Sequence, residues 1–329
     1  MTRAPTISVV CPAFNEEGNI REVVQRVDRI LSTRADALPY EIIIVNDGST
    51  DATLAVARDL IGRYPALRVV NLSRNFGHQL AATAGIDVAR GDAVILMDSD
   101  LQDPPELIDA FLDRWQQGYD VVYAVRRSRK GESSFKVATA RWFYRLVQRL
   151  TSITIPLDTG DFRLMSRRVA DVLRESRERH RFLRGLASWA GFNQIGVPYD
   201  RDPRRSGESK YSLSKMLRFA LDGITSFSEI PLRFATYFGF FVSCFAFVYA
   251  IVILALKFAH QNTPGYTSTM VAILFLGGVQ LITIGILGEY VGRIYDQTKQ
   301  RPLYVIDNVE DASTAAFAEV RKRSENGRA

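Results

Sequence analysis

The sequence predicts an open, doubly wound α/β sheet followed by an interfacial helix and a two-helix transmembrane hairpin. Three observations lead there. Short β-rich runs alternate with helical patterns over residues 7–126, and polar residues gather just after those runs. Residues 234–256 and 266–288 contain no Asp, Glu, Lys or Arg.

The strands come first. "ISVVCPA" (7–13), "EIIIVND" (41–47), "LRVVNLS" (67–73), "AVILMD" (93–98) and "DVVYAVR" (120–126) are nearly continuous in apolar residues, the pattern of parallel strands covered on both faces. Between the first two, Ile20, Val23, Val24, Val27, Ile30 and Leu31 recur at helical spacing. Similar helices fit residues 53–64, 79–89 and 105–117. Strand-helix alternation of this kind builds a mostly parallel, Rossmann-like sheet. Further on, the pattern gives a helix over 135–150, a loop "DTGDFRLMS", a helix over 168–177 and a basic stretch "RDPRRSGESKYS".

Residues 211–230 place Leu213, Met216, Leu217, Phe219, Ala220, Ile224 and Phe227 mainly on one helical face, with Lys215 and Arg218 beside it, as in a helix lying on a bilayer. The two uncharged runs, extended to 232–257 and 266–292, are each long enough to cross the hydrocarbon core, for which about 20 residues suffice. Their link is short and carries Pro264 and Gly265, so the spans form an antiparallel hairpin. Lys215, Arg218 and Arg233 precede it and Arg293, Lys299 and Arg301 follow, against Lys257 alone in the link. The positive-inside rule then puts a catalytic domain over 1–210, a tail over 293–329 and both termini on the cytoplasmic side of the inner (plasma) membrane. No chemistry is legible in the tail. The chain start has no apolar stretch of signal-peptide length, and Cys11 and Cys244, one in a strand and one in a span, are not placed to pair.

With 329 residues, 47% hydrophobic and 24% charged, the composition is that of a folded protein. The net charge of +6 is modest, so no nucleic-acid partner is expected. Its location beside a membrane matters more, because cytoplasmic leaflets carry anionic lipids.

Ligands of open α/β sheets bind at the carboxyl ends of the strands. There the chain puts "FNEEGN", "NDGSTD", "SRNFGH" and "DSDLQD". A dinucleotide-binding turn is disfavoured, since no GxGxxG follows the first strand and Pro12 occupies its place. Asp98, Asp100 and Gln102 can turn hard oxygen donors toward one point, which suits Mg²⁺ or Mn²⁺ beside a diphosphate leaving group. Asp103, Pro104 and Glu106 fit a helix start, with Asp103 as N-cap. His78 has no partner histidine at ligand spacing and is expected to be structural.

These motifs form a set: "VVCPAFNEEGNI", "IIIVNDGSTDAT", "LSRNFGHQLAATAGID", "ILMDSDLQDPPE", "TGDFRLMSRR", "RFLRGLASWAGF", "RSGESKYSLSKM" and "LGEYVGRIYDQTKQRPLY". Together they resemble the family 2 glycosyltransferases of the GT-A fold, and within them the membrane-anchored polyprenyl-phosphate glycosyltransferases. The resemblance implies that Pro12, Ala13, Phe14, Asn15 and Glu16 line the nucleotide base and ribose, with Asp47 bonding uracil or ribose and Arg74 and Gly77 bordering the diphosphate. It assigns Asp98, Asp100 and Gln102 to the nucleotide sugar and metal, and Arg126 to the acceptor phosphate. Asp161 is implied as general base or as the residue that orients the acceptor. Orientation is the expectation, because a lipid monophosphate with its second pKa near 6 is already largely dianionic at pH 7. Arg204, Arg205, Ser209 and Lys210 offer further phosphate contacts.

The implied reaction is inverting transfer of a hexose, foremost glucose from a UDP-hexose, onto undecaprenyl phosphate. UDP-GlcNAc, a UDP-aminosugar or GDP-mannose would ask for similar phosphate chemistry. A processive polysaccharide synthase would carry Q-x-x-R-W and more spans, and a non-catalytic nucleotide-sugar subunit would lack Asp100 or Asp161. Homo-oligomerisation through the spans is left open.

Overall fold

The computed structural model describes residues 6–126, 159–179, 181–200, 230–258 and 265–313. Two compact units result, one built on a sheet and one on a helical pair.

The sheet unit begins with β1 (Ile7–Ala13), α1 (Ile20–Thr33), β2 (Tyr40–Asn46), α2 (Thr53–Ile61), β3 (Leu67–Leu72), α3 (His78–Val88), β4 (Ala93–Leu96), α4 (Leu107–Gln116) and β5 (Val121–Arg126). Then follow β6 (Thr159–Ser166), α5 (Arg167–Glu175), α6 (Leu183–Trp189) and β7 (Gln194–Tyr199). Every residue of β1 is buried, which is why its sequence is apolar throughout rather than alternating. α1 turns Ile20, Val23, Val24, Val27 and Leu31 onto the sheet. Phe111 of α4 and Phe162 of β6 meet with ring centroids 4.8 Å apart, joining the α4 layer to the sheet.

The strand order is β7-β5-β6-β4-β1-β2-β3-β8. The chain winds from β1 through β2 to β3, then crosses back to lay β4 on the other side of β1, parallel to it. The switch point therefore lies between β1 and β4, where the loops "FNEEGN" and "DSDLQD" emerge side by side. Ser99 Oγ fastens them, donating to the Pro12 carbonyl at 2.8 Å.

Four departures from the sequence expectations concern the site. "TGDFRLMS" is not a loop: β6 is a fully buried strand antiparallel to both β4 and β5. Its Asp161 and Arg163 disguise it, polar residues that a buried strand rarely carries. α6 and β7 also add elements where the pattern had dissolved. α4 starts later than expected, with Glu106 rather than Asp103 at the N-cap position. Finally, the tail is part of the sheet. β8 (Ile306–Asp311) pairs antiparallel with β3, so a catalytic domain closing at residue 210 omits its own edge strand. Arg58 holds β8 through a forked bond to Glu310, and Ser73 N donates to the Val305 carbonyl at 3.0 Å.

The second unit holds α7 (Ile230–Phe258) and α8 (Tyr266–Thr298), packed on each other. Within them, Leu232–Ile253 and Val271–Thr298 are long and apolar enough to cross a membrane. Phe240, Phe241, Leu281 and Ile282 are about two-thirds or more exposed, far more large apolar surface than a water-soluble face carries. The helix expected over 135–150, the interfacial helix expected over 211–230 except for Ile230, which begins α7, and Arg204, Arg205, Ser209 and Lys210 lie outside the described residues.

Candidate active site

At the carboxyl edge of the sheet, a cavity of about 150 Å³ is lined by Pro12, Ala13, Phe14, Asp47, Asn75, Gly77, His78 and Ala81. Phe14 lines this cavity and is 45% exposed, an aromatic face open to it. Asp47 is buried, and its two oxygens accept from the backbone N–H groups of Phe76 (2.7 Å) and Gly77 (2.9 Å). Burial raises its pKa while those two donors oppose the rise. Asp47 thus shapes the loop that borders the cavity as well as facing it.

Three loops are laced together here. Asn15, at φ 57°, accepts from Thr50 N at 2.9 Å through its side-chain oxygen and donates its own N–H to Ser49 Oγ at 3.1 Å. Glu16 N donates to Thr53 Oγ1 at 2.8 Å. Gly48 sits at φ 63°, and a Cβ there would lie 2.4 Å from the Arg74 carbonyl carbon. Only glycine satisfies both the turn and the approach of the third loop. Arg74 lies over the Phe76 ring, 4.0 Å from its centroid. Asn15 and Glu16 therefore act first as loop ties, whatever they add toward a ligand.

The second cluster follows from register. Leu96 of β4 faces Arg163 of β6, and the same antiparallel register carried two residues onward sets Asp98 opposite Asp161. His78, first residue of α3, fills the gap: its Nε2 is 3.3 Å from Asp98 Oδ1 and 3.3 Å from Asp161 Oδ2. Asp161 also accepts from Arg184 Nε (2.7 Å) and Gln79 Nε2 (3.1 Å). Burial opposes ionisation of Asp161, but Arg184 and His78 outweigh it and hold the carboxyl well below the usual range. His78 loses by burial and gains more from Asp161 and Asp98, which push it up to about 9. It is a charged bridge between carboxylates rather than the structural residue expected.

Asp98 has the opposite fate. Burial pushes it up to about 6; His78 opposes, and Asp161, Asp100 and Asp103 add to the rise. Its Oδ1 is buried without a hydrogen bond. A crowded carboxylate whose Oδ1 faces His78 Nε2 at 3.3 Å without a hydrogen bond, next to Asp100 and the Gln102 amide, is a hard-oxygen donor set of the kind divalent cations take. Asp100 Oδ1 accepts from Gln102 N at 3.1 Å, and Leu101 between them is held at φ 57°. A non-glycine residue there is strained, as is common where a ligand loop is fixed. Among the described residues, no group of three His, Cys, Asp or Glu side chains is assembled to hold a metal unaided. The donors present fit a cation that takes its remaining ligands from phosphate and water.

Asp103 is not a helix cap. It is 1% exposed and accepts a hydrogen bond from the Tyr199 hydroxyl. Arg126, at the end of β5, donates from Nε to the same hydroxyl at 3.2 Å. Sequence reasoning missed His78, Gln79, Arg184 and Tyr199 as site residues. Arg184 had a usable signal, an arginine inside the "RFLRGLASWAGF" motif.

A cavity bordered by the loops after β1, β2 and β3, a carboxylate cluster suited to a cation and the Arg126 guanidinium at the end of β5, all at the carboxyl edge of the sheet, are the features a sugar-nucleotide transferase needs. The sequence comparisons agree. Residues 8–174 match Glycosyl transferase family 2, and residues 230–294 match the GtrB C-terminal hairpin. The chain belongs to glycosyltransferase family 2 and is an enzyme of that class.

It is 47% identical to an uncharacterized glycosyltransferase, YkcC, of Bacillus subtilis, over 93% of this chain and 94% of the relative. It is 44% identical to a bactoprenol glucosyl transferase of Shigella phage SfV, over 92% of this chain and 98% of that protein. Among solved structures, glucosyl-3-phosphoglycerate synthase from Mycobacterium tuberculosis, in complex with Mn²⁺, UDP-glucose and phosphoglyceric acid, superposes with a TM-score of 0.43. The two share 20% identity over 66% of this chain and 76% of the other.

Proposed function

We propose that the protein transfers a hexose, foremost glucose from UDP-glucose, onto a polyprenyl phosphate at the cytoplasmic face of the membrane, with inversion at the anomeric carbon. The observation that carries this reading is the 44% identity, over nearly the full length of both chains, to a bactoprenol glucosyl transferase. Two helices of membrane-spanning length support it, since an acceptor with a polyprenyl tail stays in the bilayer. The cationic residues flanking the hairpin support a cytoplasmic catalytic unit and termini.

In the proposed reaction an oxygen of the lipid phosphate attacks the anomeric carbon in line with the departing diphosphate. A carbon–oxygen bond to the acceptor forms as the bond to UDP breaks, and UDP leaves with the electron pair. No proton need move, because the acceptor is already largely dianionic. Catalysis is then positioning and electrostatics.

Phe14, Pro12 and Ala13 would hold the base, with Asp47 and Gly77 fixing the loop beside it and Asn15, Glu16 and Arg74 completing the rim. Asp98, Asp100 and Gln102 would hold Mg²⁺ or Mn²⁺, which supplies charge neutralisation for the diphosphate. Arg126 would bind the acceptor phosphate, with Arg204, Arg205, Ser209 and Lys210 as further contacts. Asp161 is a weak base in this setting, its oxygens engaged by Arg184, Gln79 and His78. Its role is to orient this cluster around the sugar.

The test is a donor panel. Full-length protein in detergent, given a divalent cation and undecaprenyl phosphate, should make a glycolipid from UDP-glucose in preference to UDP-GlcNAc, a UDP-aminosugar or GDP-mannose. Preference for another donor would move the sugar assignment, and no lipid product from any donor would overturn the reading.

A further inference from the structure

We propose that Tyr199 is a positioning residue for the acceptor phosphate, its hydroxyl fixing the Arg126 guanidinium and tying it to the loop that carries Asp98 and Asp100. The inference rests on the reading of Arg126 as the acceptor-phosphate arginine. The two residues are register partners at the ends of the parallel strands β5 and β7. Arg126 Nε donates to the Tyr199 oxygen at 3.2 Å, and the Tyr199 hydroxyl donates in turn to Asp103 Oδ1. One phenol thereby connects two strand ends and the β4–α4 loop.

The phenol ring is in the core, 5% exposed, so the hydroxyl sits at a fixed point. Burial and the Asp103 carboxylate push its pKa up to about 12, and it stays a donor throughout the working range of pH. An Asp103–Arg126 fork would spend the guanidinium on the carboxylate. With the hydroxyl interposed, Nε is the guanidinium nitrogen spent among the described residues, and the Nη1 and Nη2 edge keeps the planar geometry that reads a phosphate in two bonds.

Gly160, immediately before Asp161, shows where that edge lies. A Cβ built there would be 3.1 Å from an Arg126 Nη and 3.3 Å from Asp103 Oδ2. Arg126 Nη2 therefore lies beside the residue that leads into the Asp98, His78 and Asp161 cluster. An anion held by it would be next to the donor site. Tyr199 sets that placement without touching substrate.

The experiment is a kinetic double-mutant cycle on the full-length protein with Tyr199→Phe and Arg126→Gln, varying undecaprenyl phosphate and UDP-glucose separately. Tyr199→Phe keeps the buried ring and removes both hydrogen bonds of the hydroxyl, the one from Arg126 and the one to Asp103; with the guanidinium no longer fixed, KM for the lipid phosphate should rise about tenfold. KM for UDP-glucose should stay within about twofold, since the base and ribose contacts are untouched. In the Arg126→Gln background, Tyr199→Phe should raise the acceptor KM little further.

An unchanged acceptor KM, equal rises in both KM values, or full additivity in the cycle would overturn the inference. If Tyr199→Phe does not fold, as judged by loss of UDP-glucose binding, Tyr199→Trp and Tyr199→His in the same cycle carry the same discrimination. Wild-type protein with no lipid product would instead defeat the underlying reading of function, a result separable from all of these.

Discussion

At the scale of single residues, the site is organised by where charge is left uncompensated. Asp161 is surrounded by donors, and Asp98 by carboxylates and one imidazole. For Asp161 the folded pKa lies below the unfolded value of about 3.9. Its ion pairs add stability that is complete above that pH and is lost as pH falls through the folded pKa. His78 runs the other way. Its folded pKa is raised to about 9, so its contribution is complete below about 6.5 and disappears as pH rises through about 9.

An NMR titration of the His78 imidazole in cation-free protein should give a midpoint near 9, and Asp161→Asn should lower it by removing a carboxylate partner. A midpoint at or below 6.5 would contradict the bridge. Asp161→Asn should also lower kcat by about a hundredfold, the size of effect seen when a preorganised electrostatic group is lost. The shape of its pH–rate profile should survive. Disappearance of a basic limb from the wild-type profile would restore Asp161 to the role of general base.

At the scale of elements, the parallel half of the sheet was legible because burial on both faces writes apolar runs, and α1 because its apolar residues recur at helical spacing. β6 was not, since Gly160, Asp161 and Arg163 interrupt its apolar pattern. Its polar residues are affordable only because Arg163 donates to the Gly160 and Asp161 carbonyls and Arg184 meets Asp161. Those partners are invisible to local pattern. Asp103 was misread for the same reason: the helix-start pattern is local, whereas Tyr199 is 96 residues away in sequence. β8 was missed because "IDNVED" carries four polar residues out of six, the composition of an edge strand.

The loops offer a sharper test than the strands. Gly48→Ala introduces a side chain at positive φ against the Arg74 backbone, a cost of about 2 kcal/mol or more. The sheet unit should lose about 4 °C or more in Tm, with weaker UDP-glucose binding by calorimetry. Unchanged melting and binding would show that the loop packing has been misjudged.

At the scale of the whole molecule, the chain leaves its sheet, forms a hairpin of membrane-spanning length and returns to complete the sheet with β8. A soluble catalytic unit therefore cannot be obtained by simple truncation before the hairpin without losing an edge strand. Membrane orientation can be read by labelling. With Cys11 buried and Cys244 within a span, a membrane-impermeant maleimide should reach Lys257→Cys only from outside the cell and Lys299→Cys only after the membrane is opened. The reverse pattern would invert the proposed topology.

The central claim is transfer from a nucleotide sugar to a lipid phosphate at the Asp98, Asp100 and Gln102 site. Its most direct measurement is radiolabel moving from UDP-[¹⁴C]glucose into organic-extractable lipid by full-length protein in vesicles containing undecaprenyl phosphate. The account predicts label in lipid only with both a divalent cation and the lipid phosphate present, and loss of nearly all of it in Asp100→Asn. Label appearing without the lipid phosphate, or undiminished in Asp100→Asn, would contradict it.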